Sequence, residues 1–351
     1  MNILAIDTSC DETAVAVTRN VQVDSNIIWS QASLHAKFGG VMPSLAQRAH
    51  EERIDWVLKK ALGTKHKNLK GIDAIAVTVG PGLSIALGVG VNKAKELGKK
   101  HSLPLIPVNH VEAHLLSPLG KSKNKKERVN LDLFPSFGLV LSGGTTLLCL
   151  IKNIGNYEIL AESVDDALGE ALDKAARQLG FGYPGAEILE KFAKRGSNDR
   201  FTLPIPLIGD SDKNRFSYSG LKSAFVRLYE SVNNPNKEDI ENLAHTFQHA
   251  AFKHIEKVLE YQIEKNDAPE IKNLLFGGGV SNNVEIRKML RALCKRYNLK
   301  LHIPYSKKLM GDNAAMIGIT AFLKNRDLSR DELLKKYSDY SSVDRNPKLN
   351  I

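Results

Sequence analysis

One plan is written twice in this chain of 351 residues. Near the start, NILAID (residues 2–7) and TAVAVT (13–18) are two apolar runs of strand type joined by a tight polar turn. Further on, SFGLVLSGGTTLLCLIKN (136–153) repeats the arrangement: an apolar strand, the small-residue turn Ser142-Gly143-Gly144-Thr145, and a returning strand. Each copy is followed by more strand and then by helices, and a recurring strand-turn-strand of this kind points to a duplicated α/β unit. Between the copies lie the buried strand IDAIAVTVG, a helix from about Leu83 to Lys100 and the short strand LPLIPV. After the second copy, helical spacing runs through DDALGEALDKAARQLG, PGAEILEKFAKR, SGLKSAFVRLYESV and Lys237 to Glu264. IKNLLFGGGVSNN then reads as a strand entering a glycine turn and a helix, and GDNAAMIGITAFLK opens a last helix.

The expected architecture is therefore a duplicated two-domain α/β fold with a central cleft, the plan on which actin, the heat-shock ATPases and the sugar kinases are built. Residues 1–130 are expected to form the first subdomain and 131–325 the second, with the last helix (311–325) packing back on the first and 326–351 forming a tail. The boundary falls near Asn130, after the basic run GKSKNKKERVN. Its Lys121, Lys123, Lys125, Lys126 and Arg128 read as a solvated loop or as phosphate contacts. Lysine and arginine number 49 against 39 aspartates and glutamates, a balance that suits a polyanionic partner without requiring one. Three scattered cysteines, Cys10, Cys149 and Cys294, give neither a disulfide framework nor a zinc ribbon, which fits a reducing cytoplasm. MNILAIDTS opens directly as a strand with no leader pattern, and no apolar stretch is long enough for a membrane span.

NHVEAHLLSP (109–118) sets two histidines four residues apart at the start of a helix. Four helical residues turn the chain through about 400°, so His110 and His114 share one face and can grip one divalent ion. The plainer reading is a pair of buried or surface histidines. Asp312, where the last helix begins, is either that helix's N-cap or a third ligand. A His-His-Asp set leaves positions open for a substrate oxygen, as a reactive ion requires. Ser142-Gly143-Gly144 and Gly277-Gly278-Gly279 each follow a strand and could cradle an anion or a ribose on backbone amides. GPGLSIALGVG (80–90) reads instead as a helix packing tightly on a sheet. LGKS (119–122) is no phosphate loop, because Leu115 stands where the motif needs glycine.

The motifs LAIDTSCDETAVAV, HAKFGGVMPSLAQRAH, GPGLSIALGVG, NHVEAH, ESVDDALGEALDKAARQLGFGYPG, FSYSGLK, GGGVSNN and DNAAM stand in the order of one family. The chain resembles the bacterial-type tRNA N6-adenosine threonylcarbamoyltransferases, once labelled O-sialoglycoprotein endopeptidases, from Ile3 to about Leu323. The resemblance implies an actin-like fold and transfer of threonylcarbamoyl from threonylcarbamoyl-AMP to N6 of adenosine 37 in tRNAs reading codons that begin with A. By motif, His110, His114 and Asp312 would hold the metal, Fe2+ first and Zn2+ as the alternative. Val140, Leu141, Ser142, Gly143 and Gly144 would line the substrate, Asp173 and Asn283 would contact its nucleotide part, and Ala186 would be a further substrate-binding position. Asp11 and Glu12 are candidate bases or electrostatic guides, and equally plain turn residues. A TsaB-like paralogue and a TsaE-like small ATPase are the implied partners, with a homodimer as the alternative.

Three positions depart from the family pattern. Thr145 replaces the histidine of SGGHT, Ala186 the second glycine of YPGG, and Ser44 the glutamate of PELASR. All three bear on ligand fit and rate; the metal triad is intact, and an active enzyme is expected. The rival readings are a catalytically impaired scaffold of the same complex, a metalloprotease and a small-molecule kinase. A zincin needs its glutamate beside the first histidine, where Val111 stands, and Glu112 lies about 200° round the helix from His110. The second hairpin, LSGGTT, lacks the acid of the sugar kinases.

Overall fold

The computed structural model describes residues 1–125, 132–206, 214–266 and 268–351. The chain divides into two compact units, Met1–Leu131 with Ile303–Ile351, and Asp132–His302. The expected boundary near Asn130, with Lys126 and Arg128 of the basic run, lies outside the described residues.

The first unit is built on a six-stranded sheet. Its strands are β1 (Asn2–Asp7), β2 (Glu12–Arg19), β3 (Gln22–Ser30), β4 (Ala74–Gly80), β5 (Leu105–Asn109) and the two-residue β6 (Lys121–Ser122). They lie in the order β5-β4-β1-β2-β3-β6, with β1–β2–β3 antiparallel and β1, β4 and β5 parallel. Side chains alternate across a strand. After the one-turn α1 (Ala32–His35) come α2 (Pro43–Leu62) and α3 (Ser84–His101); Leu4, Ile6, Val15, Val17, Ile75 and Val77 therefore face them, packing against Ile54, Val57, Val91 and Ala94. The other face carries Ile3, Ile106 and Val108 but is small along the middle strands, with Ala5, Ala14, Ala16, Ala74 and Ala76. Those methyls let the apolar α10 (Ala314–Asn325) lie close, and a Cβ on Gly318 would come within 2.6 Å of Thr18 Oγ1. Fully burying one of these leucines or isoleucines is worth about 1.5–3 kcal/mol.

The second unit repeats the topology. Its strands are β7 (Ser136–Leu141), β8 (Thr146–Asn153), β9 (Asn156–Ser163), the two-residue β10 (Arg215–Phe216), β11 (Asn273–Gly277) and β12 (Lys300–His302). Their order is β10-β9-β8-β7-β11-β12, so β12-β11-β7-β8-β9 matches β5-β4-β1-β2-β3 strand for strand, with the same parallel and antiparallel pairings. The helices here are α5 (Leu168–Gln178), α6 (Ala186–Ala193), α7 (Ser219–Ser231), α8 (Lys237–Lys265) and α9 (Val284–Arg296). The long α8 starts at a capping box, Asn236 with Asp239, that satisfies donors at both residues.

The C-terminal segment differs from the reading as a tail after a last helix. A further helix, α11 (Arg330–Tyr337), follows α10, and Leu333 and Val343 are buried in the cores on the two faces of the first sheet. No helix of the described residues is long and apolar enough to cross a membrane.

Candidate metal centre and substrate loops

Strand β5 ends at Asn109, whose side-chain oxygen accepts from Val111 N (2.8 Å) and Glu112 N (3.1 Å) and so caps α4 (His110–Leu116). The cap fixes the helix phase, and His110 and His114 stack edge to face with ring centroids 4.7 Å apart. Asp312 is not the N-cap of α10. Asn313 takes that role, accepting from Met316 N at 3.1 Å, and leaves the Asp312 carboxylate to face the imidazoles. Asp312 Oδ1 lies 3.0 Å from His114 Nε2 and 3.5 Å from His110 Nε2. One ligand atom from each of the three falls within 4.8 Å of the others.

The sequence reading missed Asp7. It is the last residue of β1, 1% exposed, and its Oδ2 lies 3.7 Å from His110 Nδ1. A carboxylate closing a buried strand, as in NILAID, was the available signal. Asp7 Oδ2, His110 Nδ1 and His114 Nδ1 are buried and make no hydrogen bond. Burial opposes ionisation at Asp312, but His110 and His114 overcome it and hold its carboxyl well below the usual range. Burial likewise opposes protonation of His110, yet Asp312 and Asp7 raise it to about 9. Burial raises Asp7 itself. Two imidazoles converging on a carboxylate, with buried polar atoms otherwise unmet, fit a divalent cation. A ligating imidazole is neutral, so a cation would displace the His110 proton.

The neighbouring candidates sort differently. Asp11 is buried, and half-buried Glu12 accepts a hydrogen bond from Ser30 Oγ at 3.4 Å. Burial, then Asp11 and Asp312, push Glu12 well above the usual carboxyl range. Burial and Asp11 do the same to the Cys10 thiol, which is no thiolate nucleophile. Glu112 is buried and pairs with Lys324 of α10 at 2.8 Å. Glu112, already on the wrong side of α4 to serve as a zincin's general base, is thus engaged with α10.

In the second unit Val140 and Leu141 are buried in β7, and Ser142 ties the hairpin turn: Thr145 N donates to its Oγ (3.0 Å) and its N donates to Thr145 O (2.8 Å). Thr145 thus holds this turn through its backbone. Gly143 and Gly144 are exposed, and a Cβ at either would meet no protein atom within 4 Å. Protein packing therefore does not require glycine here; close approach of a ligand to bare amides would. Gly278, at φ 91°, does answer packing, since a Cβ would collide with Leu141 O. Asp173 Oδ1 accepts from Gly185 N (2.9 Å) and Ala186 N (2.8 Å), anchoring the start of α6. Asn283 caps α9 through Glu285 N and Ile286 N and donates to Gln248 Oε1 at 2.8 Å. Asp173 and Ala186 are brought together. The Asn283 side chain is committed to its own helix and to α8.

Two topologically matched sheet units, one carrying a His-His-Asp cluster and the other a bare glycine hairpin, define a duplicated actin-like protein with a candidate cation site. The fold is shared with HypF from T. kodakarensis (TM-score 0.60, 17% identity, 95% of this chain) and with a full-length HypF in phosphate- and nucleotide-bound form (TM-score 0.57, 13% identity, 93%). The chain spans about half the length of those proteins, 49% and 46%. The TsaD family, described as tRNA N6-adenosine threonylcarbamoyltransferase, matches residues 22–319. Relatives bearing that name are 41% identical in Persephonella marina (93% of this chain, 91% of that protein) and 40% identical in Bartonella henselae (95% and 92%). The chain belongs to this family.

Proposed function

We propose that this protein is a transferase that moves threonylcarbamoyl from threonylcarbamoyl-AMP to N6 of adenosine 37 in tRNAs reading codons that begin with A, releasing AMP. The observation that carries the reading is the convergence of His110 Nε2, His114 Nε2 and Asp312 Oδ1 in a chain that matches the family along nearly its whole length.

Threonylcarbamoyl-AMP is a mixed anhydride with a carbonyl activated by its phosphate leaving group. The adenine amine is a poor nucleophile because its lone pair is delocalised into the ring. Transfer forms the N6–carbonyl bond, breaks the carbonyl–phosphate oxygen bond and releases one proton from N6. Rate then depends on holding amine and carbonyl in line and on meeting charge that gathers on carbonyl and phosphate oxygens. The amides of Gly143 and Gly144 supply donors in the second unit. Asp11 and Glu12, at the first hairpin turn, are the candidate acceptors for the N6 proton or electrostatic guides for the amine. Asp173 keeps Gly185 and Ala186 in place for the nucleotide part. His110, His114 and Asp312 would hold the cation, which when bound supplies Lewis-acid stabilisation of developing negative charge. Two imidazoles and a carboxylate suit Fe2+ first and Zn2+ as the alternative.

The excess of 10 positive charges supports tRNA binding that weakens with salt. A TsaB-like paralogue and a TsaE-like ATPase are the proposed partners, with a homodimer as the alternative, and the cytoplasm is the proposed compartment. The test supplies threonylcarbamoyl-AMP and an unmodified A-decoding tRNA transcript to the purified protein, with and without the partner subunits, and weighs the digested nucleosides. Threonylcarbamoyladenosine from wild type and none from His110→Ala is expected. No product with both substrates shown to bind would sink the activity and favour the scaffold.

A further inference from the structure

In the stretch GPGLSIALGVG, Gly90 serves tight helix–sheet packing, since a Cβ there would come within 2.5 Å of Thr8 Oγ1. Three other glycines answer to the end of the chain instead. A Cβ on Gly80 would collide with Asn346 O, one on Gly88 with the Arg345 guanidinium, and one on Gly98 would lie 2.7 Å from the Tyr340 ring. The contacts are then made specific. The single Tyr340 Oη proton is shared between the carbonyls of Gly98 (3.0 Å) and Leu103 (2.9 Å), Asn346 N donates to Val79 O (2.6 Å), and Gly82 N donates to Pro347 O (3.2 Å). Val343 is buried in the core under α2 and α3, and Tyr340 and Leu349 pack against it. Residues 340–350 are a strap laid along α3 and across the end of β4.

The strap finishes on Asn109. While the Asn109 side-chain oxygen caps α4, its Nδ2 donates to Leu349 O (3.4 Å) and Asn350 O (2.9 Å). One amide thus joins the last residues of the chain to the first turn of the helix that carries both histidines. A capping amide free at its nitrogen end can rotate; one held at both ends fixes where His110 leaves the strand. We propose that the C-terminal strap is a positioning element for the cation site, with Asn109 as the residue through which it acts. The proposal rests on reading His110, His114 and Asp312 as that site. Outer partners that orient ligands of this kind typically carry about 10–100-fold in metal affinity.

The experiment titrates Co2+ into three metal-stripped proteins and follows visible absorption: the full chain, a chain ending at Arg345, and the full-length Asn109→Ser variant. Serine keeps a cap acceptor but has no nitrogen to reach Leu349 and Asn350. Both variants are expected to bind Co2+ about tenfold more weakly than wild type, with faster hydrogen exchange at Val111 and Glu112. A strap that merely adds stability would lower the melting temperature and leave Co2+ affinity alone. Wild-type affinity in Asn109→Ser would overturn the proposal even if the shortened chain fails to fold. Absence of Co2+ binding by wild type itself would overturn the cation reading, and the positioning proposal with it.

Discussion

The two sheets share one strand order and carry opposite chemistry at the end of their first strand. In the first unit β1 closes on Asp7, beside His110, in a cluster of buried charge. In the second, β7 closes on Leu141, and the turn that follows offers only a serine, two bare glycines and a threonine. Histidine makes the same contrast. His110 is buried among carboxylates and raised to about 9, whereas burial lowers His254 of α8 to about 4, with the pull of Asp165 too weak to offset it. The same scaffold occurs twice; one copy carries a cluster of imidazoles and carboxylates, the other a turn of bare backbone amides.

That contrast can be broken most severely at the cation end. Asp312→Ala removes the carboxylate shared by both imidazoles, and transfer should fall by at least about a hundredfold, with metal content measured beside the rate. Retained metal and rate would place the ion elsewhere. Asp7→Asn should be milder, weakening metal binding by about tenfold or a little more while the fold survives, as a metal titration and a melting curve together would tell. Gly143→Val sharpens the other side. Since no protein atom stands near that Cβ, melting should be unchanged, while KM for the adenylate should rise roughly tenfold. A lowered melting temperature with an unchanged KM would mean that the glycine serves the turn and not the ligand.

The smallest effect concerns pH. The folded His254 pKa lies below the ordinary 6.5, so the unfolded chain takes up the proton first as pH falls. Its contribution to stability is full above about 6.5 and is lost progressively as pH falls toward about 4. Between pH 7 and 5.5 it should amount to about 1 kcal/mol, read as a drop in urea midpoint that His254→Gln makes shallower. An equal slope in the variant would assign the acid sensitivity to other groups.

Much of the scaffold was legible because it rests on local rules. NILAID, TAVAVT and their later copies alternate or run apolar as strands must, and the helices from Ser84, Ser219 and Lys237 follow the 3.6-residue period. The pairing of His110 with His114 is likewise local, being one helical turn. Asp312 was ambiguous for a physical reason: an aspartate before a helix usually caps it, and only the structure shows that Asn313 does so instead. NILAID marks Asp7 as a carboxylate closing a buried strand, but nothing in a strand's sequence says which distant helix its last side chain will meet.

The sequence by itself determined the duplicated strand pattern, the helix phases and the family, since each depends on neighbours in the chain or on motifs in order. Tertiary structure alone decided that Asp312 reaches across 198 positions to His114, and that Asn109 is held by residues some 240 positions away. Contacts over such separations leave no period in the sequence. They exist because sheet topology brings the end of β5, the start of α10 and the C-terminal strap to one place.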